Sequence, residues 1–297
     1  MRASLLRPLA FALLCLVWGS TWLVIKVGYG GLGPFNVAAA RFLLAGVVMA
    51  ALVPLLGARW PRGRREWALA LFVGAVLFAV DYGLIYWGEQ WLDSGLTAVL
   101  FATNPLATAL LAHVALPGER ATARKLGGTL VAFLGVVALF AGSLRLDARL
   151  ALPMLAIVGA AVAGALGTVA TKLHGKGLHP AGLNAPAMLA GGLLLLLASW
   201  AAGERPRVPA GAGAWGAVVY LALAGSVVTF LLYFWLLQAW PATTLSLIAV
   251  VVPLVALLLG HLALGETPTA WTGVGTVLIL AGVALALGVG RRAGAPG

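Results

Sequence analysis

Charge is what this chain has least of. Of its 297 residues only 9% are charged, where a soluble domain of ordinary composition carries about 25%. So few charges cannot clothe an aqueous surface, which excludes a water-soluble globular protein of this length. Cysteine is almost missing as well: Cys15 stands alone, ruling out an intramolecular disulfide, and the four histidines are scattered. No metal site and no cofactor are expected from that set. Catalytic signatures are lacking too. There is no G-x-S-G tetrapeptide for an intramembrane serine protease, no second deep aspartate to partner Asp81, and no H-E-x-x-H. Neither a ring of charges nor a carbonyl filter marks a channel. The chain is not expected to be an enzyme.

What is present is apolar. Hydrophobic residues make up 62% of the chain and the mean hydropathy is +1.05. A helix crosses ~30 Å of hydrocarbon with about 20 apolar residues. The sequence divides into ten such runs, at 7–27, 34–56, 66–88, 92–114, 123–142, 150–171, 180–202, 213–238, 242–264 and 268–289. The runs do not alternate polar with apolar, which disfavours a β-barrel. The opening stretch MRASLLRPLAFALLCLVWGSTWL has the basic start of a signal peptide. It lacks a small-x-small cleavage site and Trp18 and Trp22 extend it to spanning length, so it is read as the first helix.

The isoelectric point near 10.9 invites a nucleic-acid reading, which the placement of the charges opposes. With the N-terminus in the cytoplasm, the inner loops and ends collect thirteen basic residues: Arg2, Arg7, Arg59, Arg62, Arg64, Arg65, Arg120, Arg124, Lys125, Lys172, Lys176, Arg291 and Arg292. The outer side has five, Lys26, Arg145, Arg149, Arg205 and Arg207. That is the positive-inside bias. It predicts both termini in the cytoplasm, a lipid bilayer as partner and no nucleic acid.

Two stretches echo each other. FATNPLATALLAH (Phe101 to His113) and AVVVPLVALLLGH (Ala249 to His261) each put a proline inside an apolar run and a histidine eight residues later. The same shift of 148 lays Trp67 on Trp215, Trp87 on Trp235 and Gln90 on Gln238. A shift of 147 then matches Glu119 with Glu266, Gly128 with Gly275 and Gly135 with Gly282, and one of 146 brings Lys26 onto Lys172. The chain reads as two copies of a five-helix unit, 1–146 and 147–297. Five is odd, so the second copy enters the membrane from the opposite side. Inverted repeats of this kind belong to secondary transporters, whose two halves exchange conformations around one site. The expected architecture is an all-α membrane protein, with ten transmembrane helices in two inverted five-helix repeats around a central cavity.

Pro105 and Pro253 fall near mid-depth of the fourth and ninth segments. Each removes the helical partner of a carbonyl one turn back, at Phe101 and Ala249. A bare carbonyl in hydrocarbon must find another partner. A packing kink meets that need, and so does a cavity holding water or substrate; the symmetric pair favours the cavity.

WGSTWLVIK in the first segment, PFNVAAARFLLAG opening the second and the closing run from LALAGSVVTFLLYFW to LILAGVALAL resemble the EamA-type exporters of the drug/metabolite transporter superfamily. The resemblance covers nearly the whole chain. It implies a bacterial inner-membrane, multi-pass exporter of small metabolites, neutral and aromatic amino acids foremost, moved by alternating access. Efflux of organic cations or drugs through the same fold is the alternative.

Ionisable groups inside the membrane are the first candidates for function. Arg41 and Asp81 lie at similar depth, about 10 Å below the outer ends of the second and third segments at 1.5 Å per residue, and are expected to pair. The pair is either a neutralising bridge or a group that handles substrate or proton, with Asp81 first for coupling. The family shares an arginine at the position of Arg41. Phe78, Tyr82 and Tyr86 form a stripe at helical spacing, and Ser226, Thr229 and Tyr233 a second one. With Trp18, Thr21, Asn104, Pro105 and Pro253 they are the expected lining of the substrate cavity. His113 and His261 are expected as interfacial or gate residues rather than proton carriers. Lys26 and Lys172 map to opposite faces, which leaves Arg41 as the one deep cation and disfavours phosphorylated cargo. Glycines spaced by seven, Gly128, Gly135 and Gly142, then Gly275 and Gly282, allow close helix contact. They suit intramolecular packing or a homodimer. Glu119 and Glu266 precede helix starts and are read as caps. Trp60, Trp67, Trp91, Trp200 and Trp271 fit an interfacial belt.

Overall fold

The computed structural model describes residues 2–30, 32–141, 148–205, 209, 211–264 and 270–288. Among them are ten helical segments: α1 (Arg2–Tyr29), α2 (Pro34–Leu55), α3 (Gly63–Gly88), α4 (Ser94–Ala115), α5 (Ala123–Leu139), α6 (Ala151–His174), α7 (Pro180–Ala201), α8 (Ala212–Ala239), α9 (242–264) and α10 (Ala270–Leu287). Each coincides, within a few residues, with one apolar run of the sequence. Pro34 and Pro180 open α2 and α7, where a missing N–H is harmless and the fixed φ suits the first turn. The five tryptophans assigned to the interface are all exposed.

Helix ends in a bilayer need partners for their free backbone groups, and here the two copies supply one another. The carboxylate of Glu204, in the second copy, accepts from the Phe35 and Asn36 N–H groups at the start of α2, at 3.2 and 2.9 Å. In return Glu119, in the first copy, accepts from Ala242 and Thr243 N–H at the start of α9, at 3.0 and 3.2 Å. Glu119 is therefore a cap, but not of the helix it precedes: α5 is capped by Thr122, which accepts from Lys125 N–H. Glu266 lies outside the described residues. The two matched lysines do matched work. Lys26 donates to the Leu92 carbonyl at 3.1 Å, and Lys172 to the Trp240 carbonyl at 2.9 Å. Leu92 and Trp240 are themselves equivalent at the repeat shift of 148.

The helices are less regular than the sequence suggests. α4 is broken at 102–103, so that Pro105 falls in the first turn of the piece Asn104–Ala115. α9 is broken one turn earlier in the repeat frame, between Ala242–Leu245 and Ile248–Leu264, which leaves Pro253 inside a helix. The prolines are equivalent in sequence but not in local structure. α3 and α8 each contain a widened π-helical stretch, Gly74–Asp81 and Leu223–Val228, at matching positions of the two copies. In α8 the Ser226 hydroxyl donates to the Leu221 carbonyl five residues back, at 2.9 Å. Such wide turns shift every later side chain around the helix axis and recur at functional sites.

α5 and α10 pack backbone to backbone along their glycines. A methyl group on Gly135 would stand 2.7 Å from the Ile279 nitrogen, and one on Gly275 2.6 Å from that of Leu139. Gly128 meets Gly282 and Ala286 in the same way, while Gly127 has open space. The glycine stripes thus serve contact within the chain; Gly142 lies outside the described residues. Gly128→Val is expected to lower stability by about 3 kcal/mol, the cost of forcing apart packed backbone. Gly127→Val is expected to change it by less than about 0.5 kcal/mol. Thermal unfolding of the two purified variants in detergent checks the contrast.

Candidate functional site

Between the helices of the two copies lies a small cavity of about 100 Å³. Its wall draws on matching positions. Tyr82 of α3 answers to Phe230 of α8, Ile85 to Tyr233, Ala98 of α4 to Ser246, Phe101 to Ala249, and Asn104 to Val252. Trp22 of α1 answers to Thr168 of α6. The rings interlock: Trp18 packs on Phe230 and Tyr233 with centroids 5.6 and 5.4 Å apart. The hydroxyls of Thr168 and Tyr233 share a hydrogen bond of 2.9 Å, and Asn104 donates to the Ala161 carbonyl at 2.8 Å.

Asp81 is the acidic residue of this wall. It stands at the last position of the π-helical stretch of α3, 3% exposed, and its Oδ1 has no hydrogen-bond partner. Gly164 of α6 makes room for it. A methyl group there would lie 2.8 Å from Asp81 Oδ2 and 3.3 Å from Asn104 Nδ2. No lysine, arginine or histidine is among the lining residues.

The expected pairing of Asp81 with Arg41 does not occur. Among the described residues the ion pair within 4.0 Å is Arg59–Glu66, far from this depth. Arg41 is 1% exposed and its donors are met by neutral acceptors. Nε donates to Ser226 Oγ at 2.8 Å, Nη2 to the Gly225 carbonyl at 2.8 Å and Nη1 to the Tyr86 hydroxyl at 3.3 Å. The guanidinium lies 4.7 Å from the Tyr82 ring centroid and 5.0 Å from that of Phe42. Tyr82 therefore stands between Arg41 and the cavity. The physical reason is the widened turn of α8, which presents Gly225 and Ser226 to the guanidinium.

The other sequence-derived residues divide in two. Trp18, Thr21, Tyr82, Asn104, Tyr233 and Pro253 are on the cavity wall with Asp81. Phe78, Tyr86, Pro105, Ser226 and Thr229 are buried away from it. Phe78 falls inside the π-helical stretch, which breaks the four-residue register of its stripe; it packs on Phe42 and Phe230 instead. Tyr86 is taken by Arg41 and by the Tyr29 hydroxyl, which donates to its carbonyl at 2.8 Å. His113 is exposed and accepts from the Ala121 N–H, holding the α4–α5 connection; the His261 side chain lies outside the described residues. Phe230, Thr168, Ser246 and Gly164 were missed. Applying the repeat shift to Tyr82 and Ala98 points to the first and third of these.

The fold and the wall are those of a transporter built from two copies of one unit. The chain matches the EamA-like transporter family twice, over residues 7–141 and 151–288, and it belongs to that family. It is 34% identical over 296 residues to the uncharacterized inner membrane transporter YedA of Escherichia coli, covering 97% of this chain and 94% of that one. A probable terminal-alkyne amino-acid exporter of Streptantibioticus cattleyicolor is 32% identical over 305 residues, 97% of each chain. A crystal structure with 22% sequence identity shares the fold, with a TM-score of 0.81 over 97% of this chain and 99% of its own. The protein is thus a multi-pass secondary transporter of small metabolites in the bacterial inner membrane, not an enzyme.

Removing the Ser226 hydroxyl takes the acceptor from Arg41 Nε, a donor on a fully buried side chain. Ser226→Ala is expected to cost about 2 kcal/mol, the desolvation of one unsatisfied charged donor. Ser20→Ala, whose hydroxyl meets that of Tyr220 in an exposed pair, is expected to cost less than about 0.5 kcal/mol. Thermal unfolding of both variants decides.

Proposed function

We propose that the protein exports small metabolites that carry an ammonium group, neutral and aromatic amino acids foremost, by alternating access through this cavity. The observation that carries the reading is Asp81, a carboxylate without an ion-pair partner on the wall of an aromatic cavity. An ammonium ion meets the carboxylate on one side and the faces of Trp18, Tyr82, Phe230 and Tyr233 on the others, where cation–π attraction adds to the pairing. For a substrate carboxylate one hydroxyl proton of the Thr168–Tyr233 pair remains to donate, the Ser246 hydroxyl being spent on the Thr243 carbonyl. The amino-acid exporter among the relatives supports the same class. Asp81 holds either a proton or the ammonium, so the two exchange at one atom and export is coupled to proton entry.

The two copies, entering the bilayer from opposite sides, give each end of the cavity an equivalent closure. The positive-inside bias supports the placement of both termini in the cytoplasm.

A second reading has its own observation. The wall has no basic side chain, so a substrate needs no carboxylate at all, and organic cations or drugs fit the same site. Uptake of labelled phenylalanine and leucine into proteoliposomes, in competition with phenylethylamine, a quaternary ammonium dye and a sugar phosphate, separates the two. Saturable amino-acid uptake driven by a pH gradient is expected. Asp81→Asn is expected to raise the half-saturation concentration between about 10- and 100-fold, the worth of one charge-assisted bond. Uptake of the dye with no amino-acid uptake or competition would replace the first reading by the second. Unchanged transport of every class in Asp81→Asn would remove Asp81 from both.

A further inference from the structure

A second buried carboxylate stands beyond the cavity. Glu89 follows the last residue of α3, is 1% exposed, and has no hydrogen-bond partner on either oxygen. Two ties from α1 flank it in sequence: the Tyr29 hydroxyl donates to the Tyr86 carbonyl in the last turn of α3, at 2.8 Å, and Lys26 Nζ to the Leu92 carbonyl in the α3–α4 connection, at 3.1 Å. The same two helices line the cavity one turn below, through Ile25 and Ile85. The ties therefore join α1 to α3 and the connection after it, across the end of the cavity at which α1 finishes, with Glu89 buried in the seam.

The second copy makes the same join without a carboxylate. Lys172 donates to the Leu237 and Trp240 carbonyls at 2.6 and 2.9 Å. At the repeat shift of 148 the partner of Glu89 is Leu237, itself 1% exposed. The packing thus accepts an uncharged side chain of similar reach and does not require an acid. An ion here would have the pull of Lys26 but no hydrogen bond on either oxygen, too little to offset the desolvation of a buried carboxylate. Glu89 fits this arrangement only as the neutral acid.

We propose that Glu89 is a proton-operated latch on this end of the transport path: the carboxyl takes a proton from solvent as α1 and α3 join, and returns it as they part. The charged and titratable groups that act on it are Lys26 and Tyr29 of α1 and Tyr86 of α3; Pro153 and Ile157 of α6, packed on Gly88, are apolar. Burial pushes the Glu89 carboxyl up from about 4.5 to about 8, against the pull of Lys26. The joined arrangement binds the proton more tightly than the parted one. It is fully favoured below pH about 4.5, loses up to tenfold in ratio with each pH unit from there to about 8, and changes no further above that. The latch rests on reading the cavity as the transport path, but it is tested by accessibility rather than by transport.

The test places a cysteine at Ala98, on the cavity wall, in a Cys15→Ser background. The full chain in lipid nanodiscs is labelled with a small maleimide from pH 5 to 8.5, and each rate is divided by that of the denatured chain at the same pH. The normalised rate is expected to rise at least tenfold across this range with Glu89 in place. It is expected to be flat in Glu89→Gln and in Glu89→Leu, the residue the other copy uses. A flat profile in the parent, or the same rise in either variant that folds, overturns the latch. A pH-dependent profile abolished by these variants in a protein that fails to transport amino acids would leave the latch standing and sink the amino-acid reading alone.

Discussion

Hydrocarbon offers no hydrogen bonds, so a polar group carried into the bilayer must find its partners in the chain. Arg41 is the severest case here, a guanidinium 1% exposed in a helix of the first copy. Its partners are the Gly225 carbonyl and the Ser226 hydroxyl of the second copy, with the Tyr86 hydroxyl between. A regular α-helix keeps its carbonyls for itself. The π-helical stretch of α8 is what turns Gly225 outward to serve as an acceptor while Ser226 is itself anchored to Leu221. Much follows from that single arrangement. The halves are tied together at depth, Tyr82 is pressed between the guanidinium and the cavity, and Asp81 is left without the cation that stood nearest to it in depth.

The repeat explains the scaffold, and departures from the repeat explain the chemistry. The cavity wall, the lysine ties, the widened turns and the glycine contacts all occur twice at matching positions. A perfect duplicate would place Thr229 where Asp81 stands and Leu237 where Glu89 stands. In both places one copy holds a neutral residue and the other a buried carboxylate with an unsatisfied oxygen, Oδ1 of Asp81 and both oxygens of Glu89. On the reading proposed above, two closures of the same shape would differ in their dependence on protons, and that difference would give the pair of gates a direction.

The ten spans, the two copies and the glycine faces of α5 and α10 were legible in the sequence, because each depends on composition and spacing alone; that the two faces meet was not. Runs of about 20 apolar residues span the bilayer whatever their tertiary partners, and glycines every seven residues make a flat face whatever packs on it. The Arg41–Asp81 pair was wrongly read for the complementary reason. Depth along a helix follows from residue count, but direction around its axis depends on every turn being regular, and α3 widens just before Asp81. The same slip placed Phe78 on the wall with Tyr82, whereas Tyr86 is drawn off by Arg41. The caps that Glu119 and Glu204 provide reach between copies, over 123 and 169 residues, and no local pattern announces them. Glu89 was passed over because it sits at a segment end, where acids are usually solvated; its burial is a property of the packed bundle.

The most direct measurement asks whether substrate displaces a proton from Asp81, as the proposed site requires. Phenylethylamine and phenylalanine are added in turn to the purified protein in detergent, in weakly buffered solution with a pH indicator, and the proton release per chain is read. Release that saturates with ligand and vanishes in Asp81→Asn is the expected result. Saturable binding with no release, or the same release from Asp81→Asn, would contradict a site at which ammonium and proton exchange on one carboxylate.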